Sequence, residues 1–464
     1  MEKRKLIIDQ RTINSELLNS NTRHLIKFEP DVLLIVTLVI VGISFVDFSL
    51  VGTIFGKIKK KKTFGITSFA LLTLACISCQ IFFIIYARSL VRNESKKKRL
   101  RYHTSWYIVI AFEVLVASLI LSIMIQIITT SHYTTLLTFY LVTASHITAL
   151  VFIGLLLGKL IKWIRSNSNV TVLVYIFAIS LLGANVLSLT IIHFANSASA
   201  PKVIDSDGCG LICTSERPTF TFIYTVTYYL SYFAIWFSSI LLLYNFQKKM
   251  KKITLWTLIL LPTPLLILSL NSGIWNTLIG VFELNFLVKH ALYTFLSNIT
   301  GPLAGVVSGL VFWYMAKNLY HTLMKRHIVL ISYGIIILLS LTYSTGFELF
   351  LFPPYGIMST TFMVLGSFAI YLGVYFSSVY VAQDSKLRTY IANPESPVYR
   401  ELKFFAATGT SENRQRTVSN VTHVIKSIAD EMESESGVAL DQDNIMEYVK
   451  LAIEERKKSA LKKG

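Results

Sequence analysis

The sequence predicts an all-α polytopic membrane protein of about ten transmembrane helices with a short helical cytoplasmic C-terminal tail. Three observations predict it. Of 464 residues 53% are hydrophobic and only 15% charged, where soluble chains carry about a quarter charged. Ten stretches approach or exceed the roughly 20 apolar residues needed to cross a hydrocarbon core. Basic residues gather in alternate links between those stretches, the pattern of the positive-inside rule.

In order, the stretches are 32–55, 63–87, 106–129, 134–160, 170–194, 219–246, 253–270, 291–316, 328–347 and 355–381. Residues 1–31 are polar and hold no short apolar core with a small-residue cleavage site, so they read as a cytoplasmic segment before a retained first span. The links after the second, fourth, sixth and eighth stretches hold seven, three, four and three Lys/Arg; those after the third, fifth, seventh and ninth hold none, two, one and none. Seventeen against three places the first set, and the C-terminus, in the cytoplasm of a cell-membrane protein. Lys57 and Lys59 to Lys62 oppose this arrangement, because ten spans put them outside. Either the other links override these five lysines, or the second stretch is re-entrant and the count is nine with an external N-terminus. Thr63 to Ala87, 25 residues with no ionisable group except cysteines, favours ten.

The bundle thus covers 32–383 and the tail 384–464. The tail carries thirteen basic and thirteen acidic residues, so the net charge of +18 lies wholly in residues 1–383, mostly in short runs between apolar stretches, and marks no nucleic-acid surface. Val418, Val421, Ile425, Ile428 and Met432 recur at spacings of three and four, an a/d seam for two heptads. Such a seam packs on the tail itself or the membrane base, or makes a homodimer. Asp441 caps a second helix carrying Ile445, Val449 and Ile453. No Gly or Pro falls between Gln383 and Tyr390, so the last span is expected to run on into the tail as a continuous helix.

Ionisable groups at membrane depth are costly and therefore candidates for function. Asp47, Glu113 and His146 stand out, with Asn185 as a further intramembrane polar group. Glu113 and His146 read either as an interhelical hydrogen bond or ion pair, or as a protonatable pair. His193, Glu283, Lys289, His290 and Glu348 fall in the outer half or at the outer surface, beneath the two larger external links at 195–218 and 272–290. An outward-facing polar pocket is expected there, although interfacial side chains in contact with headgroup water give the same pattern. Cys209 and Cys213, in the first of these links, have the placement of a small disulfide. With Asp205 and Asp207 but no His nearby, they make a poor metal set. Cys76 and Cys79 lie inside an apolar helix and read as small packing residues rather than a redox pair.

His132 and His146 are fourteen residues apart, a haem-ligand spacing that requires a matching pair on a second helix, where only His193 is available. No nucleophile elbow, zincin, Walker or dinucleotide-binding motif is present, so neither a catalytic activity nor a cofactor is expected.

The block Phe347-Glu-Leu-Phe-Leu-Phe-Pro-Pro-Tyr-Gly356, with Ser377-Ser-Val-Tyr-Val-Ala-Gln-Asp-Ser-Lys-Leu-Arg388 after the last span, resembles a pattern in multi-spanning membrane proteins of ammonia-oxidising archaea. That resemblance implies an archaeal cell membrane and a shared architecture, and it carries over no catalytic or binding residue.

The sequence is therefore expected to encode a membrane sensor or signal-relay protein, with an outer pocket and a tail that dimerises and reports to a cytoplasmic partner. Competing readings are a secondary transporter using Glu113 and His146 as titratable groups, and a structural subunit of a larger membrane complex.

Overall fold

A computed structural model of the chain describes residues 30–52, 62–91, 96–166, 169–197, 203–205, 218–246, 252–264, 277, 279, 281, 286–317, 322–344, 353–384 and 403–436. Ten helices overlap the ten apolar stretches one by one: α1 (Pro30–Gly52), α2 (Lys62–Val91), α3 (Lys96–Thr130), α4 (Thr135–Ser166), α5 (Val170–Ser197), α6 (Pro218–Phe246), α7 (Lys252–Leu260), α8 (Phe286–Lys317), α9 (Thr322–Ser344) and α10 (Ile357–Gln383). The tail contributes α11 (Lys403–Ser436). Among the described residues seven helices, α2 to α6, α9 and α10, are long and apolar enough to cross a membrane.

The centre of the bundle is α9 and α10, whose most apolar windows are 89% and 94% buried, against 28% for α2 and α3. Small residues make that depth attainable, because helices in lipid associate by close backbone approach rather than by expelling water. A side chain at Gly309 of α8 would stand 2.8 Å from the Ser332 carbonyl of α9, and one at Gly373 of α10 would stand 2.7 Å from the His327 carbonyl. Serine hydroxyls join the same interface, Ser332 donating to the Gly309 carbonyl (2.6 Å) and Ser340 to the Pro302 carbonyl (3.0 Å). At the periphery, Leu71, Leu74, Val114 and Leu121 turn outward from α2 and α3, the surface a lipid environment requires.

Helix directions follow from pairwise contacts. The Ser145 hydroxyl donates to the Thr360 carbonyl, Phe152 packs on Phe368 with ring centroids 5.2 Å apart, and the Lys159 amine sits 5.3 Å from the Tyr375 ring centroid. These contacts advance together by about two turns each, so α4 and α10 run parallel. The Tyr355 hydroxyl before α10 donates to the Gly65 carbonyl (2.9 Å), and Gln80 donates to Thr361 (2.6 Å), so α2 is parallel to α10 as well. Because α9 packs antiparallel to both α8 and α10, α8 shares their direction. The basic links after α2, α4 and α8 therefore leave the bundle at one end, together with the tail.

Gly356 caps the start of α10 with φ +89°, left-handed backbone that a side chain would strain. The expected continuous helix from the last span into the tail does not form. Helix α10 ends at Gln383; Asp384 is extended (φ −77°, ψ 107°) and its N–H closes the last turn on the Tyr380 carbonyl. The run of Asp384 and Ser385 is the reason, since short polar side chains favour helix ends over helix interiors.

At the opposite end, β1 (His132–Thr134) pairs antiparallel with β2 (Val203–Asp205). Tyr133 is fully buried beneath this ribbon, and Gln126 accepts the Thr134 N–H (3.0 Å).

Candidate functional site

Among the described residues, His146 and His193 come together, while Glu113 stands at another depth. Glu113 lies about 25 Å down α3 from its ribbon end and His146 about 16 Å down α4, at 1.5 Å per residue. That gap keeps them apart: one Glu113 carboxyl oxygen and both His146 ring nitrogens are buried with no hydrogen-bond partner among the described residues. His146 instead meets His193 edge-on, ring centroids 6.2 Å apart. The meeting follows from side-chain tilt, because each side chain leans toward the N-terminus of its own helix and α4 and α5 are antiparallel. His193 also stacks on Phe139 at 5.4 Å. Asn185 is fully buried, and its amide has no hydrogen-bond partner among the described residues.

Asp47 and His290 fall on α1 and α8 with side chains outside the described residues, while Lys289 is half-buried on α8. Glu283, Glu348, Cys209 and Cys213 lie wholly outside the described residues. Among those that are described, no group of three or more His, Cys, Asp or Glu is placed to hold a metal ion. Cys76 is buried and Cys79 half-buried in α2, both as thiols.

The most elaborate side-chain arrangement lies at the other end, where the tail helix enters the bundle. Phe404, Phe405, Ala406, Ala407, Thr408, Ser411 and Glu412 are all buried. Phe404 packs on Tyr175 of α5 with centroids 4.2 Å apart, and lines a cavity of about 30 Å³ between α4, α5, α6, α8, α9 and α10. Room of this size admits about two waters, and the lining is apolar except for Tyr175 and Ser238. One turn further along, Ser378 of α10 donates to Thr408 (2.7 Å). Gly409 lies so close to α10 that a Cβ there would stand 2.6 Å from the Val381 Cβ.

Glu412 is the electrostatic centre of this dock. Its Oε2 accepts the Trp163 indole N–H of α4 (3.0 Å) with Lys159 at 3.9 Å, and its Oε1 accepts the Arg416 Nε–H one turn on (2.9 Å). Burial raises the Glu412 carboxyl, but the Trp163 hydrogen bond, Lys159 and Arg416 together outweigh it and hold the carboxyl below its ordinary value. The tail also satisfies the end of α4, whose last carbonyls have no partner within the helix. Arg414 donates to the Ser166 carbonyl (3.0 Å) and Gln415 to the Lys162 carbonyl (2.8 Å).

A depressed carboxyl stabilises the folded dock above the unfolded carboxylate range, and the contribution disappears as pH falls through the folded value. Protection of residues 403–416, measured as hydrogen exchange relative to the intrinsic rate at each pH, is therefore expected to hold at neutral pH and to be lost as pH falls below the ordinary carboxylate range. A Glu412→Gln variant, unable to ionise, is expected to lose most of that pH dependence.

Beyond the dock the expected heptad seam begins. Val418 is exposed and Val421 half-buried, while the side chains of Ile425, Ile428 and Met432 lie outside the described residues. The only local mark of the dock is the apolar run Phe404 to Ala407, too short to signal a buried helix by itself. Trp163 and Glu412 had no local signal, since they are partners across 249 residues.

Fold and dock together define the class: an all-α, multi-pass membrane protein with part of its C-terminal helix built into one end of the bundle. Comparison with protein families, curated proteins and solved structures gives no match to the chain in any of the three.

Proposed function

We propose that the chain is a ten-span sensor or signal-relay protein of the cell membrane, with its N- and C-termini cytoplasmic and its tail helix as output. The observation that carries this reading is the dock. Phe404 to Gly409, Ser411 and Glu412 are buried, and the helix that carries them touches α4, α5 and α10 at once. Close-packed interfaces are bistable rather than continuously deformable, so a shift between α4 and α10 repositions the tail. The common direction of α2, α4, α8 and α10, with α9 opposed, and the basic links at the tail end support ten crossings in that orientation.

Paired spin labels at Val418 and Ile161 in proteoliposomes test the relay. Two discrete distance populations that exchange as pH, salt and osmotic tension outside are varied are expected; one unchanging distribution under all conditions overturns it. The competing transporter reading rests on Glu113, and predicts that Glu113→Gln abolishes solute uptake while leaving the tail distances untouched.

Homodimerisation through Val418 to Met432 is part of the proposal, and the dock dictates how to test it. Truncation after Lys403 would strip buried residues from the bundle, whereas truncation after Arg416 retains the dock and removes the seam. Native mass of the full chain and the Arg416 truncation is expected to fall from dimer to monomer; equal masses count against the seam.

A further inference from the structure

The dock leaves an excess of positive charge. Helix α4 contributes Lys159, Lys162 and Arg165, the docked half of α11 contributes Lys403, Arg414 and Arg416, and Glu412 is the only carboxylate of either segment. Glu412 is already engaged by Lys159 and Arg416. Lys162, Arg165 and Arg414 remain exposed on one rim of the junction. The Lys162 amine and the Arg165 guanidinium have no partner among the described residues, and Arg414 uses one of its donors on the Ser166 carbonyl.

The rim also lies at a defined depth. A hydrocarbon core takes about 20 helical residues, and α4 has 32. Counted from the ribbon end, its last turns, which carry all three of its cations, stand at headgroup level. We propose that this rim binds the phosphate of an anionic phospholipid headgroup, with Lys162 and Arg165 from the bundle and Arg414 from the tail on the same anion. Guanidinium groups suit phosphate through paired N–H donors, and the lipid supplies the negative charge that Glu412 alone does not. Because the site is half bundle and half tail, lipid binding clamps the dock. The inference rests on the docked geometry and stands whether or not the tail relays a signal.

The full-length protein in phosphatidylcholine nanodiscs, with and without phosphatidylglycerol, tests it. Native mass spectrometry is expected to find phosphatidylglycerol retained by the protein, and hydrogen exchange of residues 403–416 is expected to slow when that lipid is present. The double variant Lys162→Gln, Arg165→Gln removes two exposed charges and keeps every bond of the dock, since Lys162 engages the tail through its carbonyl. At about fivefold per juxtamembrane charge, it is expected to weaken retention about thirtyfold. A control variant, Lys252→Gln with Arg326→Gln, removes two cations elsewhere and is expected to change retention little. Equal losses in the two variants, or tail exchange indifferent to phosphatidylglycerol, overturn the site. Displacement of the lipid by inorganic phosphate at constant ionic strength overturns the lipid assignment.

Discussion

Replacing Gly409 by leucine is expected to pull the tail helix off the bundle. A Cβ at this position already stands 2.5 Å from the Val381 Cγ1, 2.6 Å from its Cβ and 3.1 Å from the Ser378 carbonyl. Two of those atoms cannot turn aside, because a Cβ and a carbonyl move only with the backbone of α10. Overpacking of this kind costs about 1–3 kcal/mol where the surroundings give, and more where they do not. The tail has a cheaper response than straining α10, namely to leave. Its departure breaks the Thr408–Ser378 bond and removes Glu412 from Trp163, exposing an indole N–H whose burial without a partner costs about 2 kcal/mol. Hydrogen exchange of residues 403–416 should rise to the rate of an unprotected helix, and Trp163 fluorescence should shift toward that of a solvated indole. Slow exchange in the variant would mean that α10 adapts instead.

Gly309→Leu is expected to have the larger effect on the bundle as a whole. Here the obstacle is the Ser332 carbonyl at 2.8 Å together with the Ile336 side chain at 2.2 Å, in the interface between α8 and the deeply buried α9. The substitution also forces Ser332 away from the Gly309 carbonyl to which it donates. No detachable element relieves the strain, since α9 is enclosed by α8 and α10. A drop in thermal midpoint in detergent of ten degrees or more, or failure to recover monodisperse protein, is expected. Gly154→Leu on α4 meets nothing within 4 Å and serves as the matched control.

The two substitutions also show what was legible in the sequence. Membrane class and helix positions were readable, because roughly 20-residue apolar runs have few other uses. Relative sidedness was readable too: the basic links after α2, α4 and α8 and the tail meet at one end. The small-residue spacing of Gly305 and Gly309 was available as a packing signal. What sequence could not supply were meetings across the chain. Glu113 and His146 looked like partners because both are ionisable at depth, yet side-chain tilt joins His146 to His193. The sequence places the packing face of the tail on the seam that starts at Val418, whereas its first turns bury two phenylalanines and a carboxylate.

The β1–β2 ribbon has a mechanical consequence. It fastens residues 132–134 to 203–205 and so ties a clasp across the mouth of the α4–α5 hairpin, whose other end is already closed by the short link after Ser166. A hairpin shut at both ends resists scissoring of its two arms and moves as one stiff lever. The tail meets this lever on α4 and α5 and meets α10 directly, so sliding of the lever on α10 shears the dock, and the clasp and the dock become the two handles of a single beam.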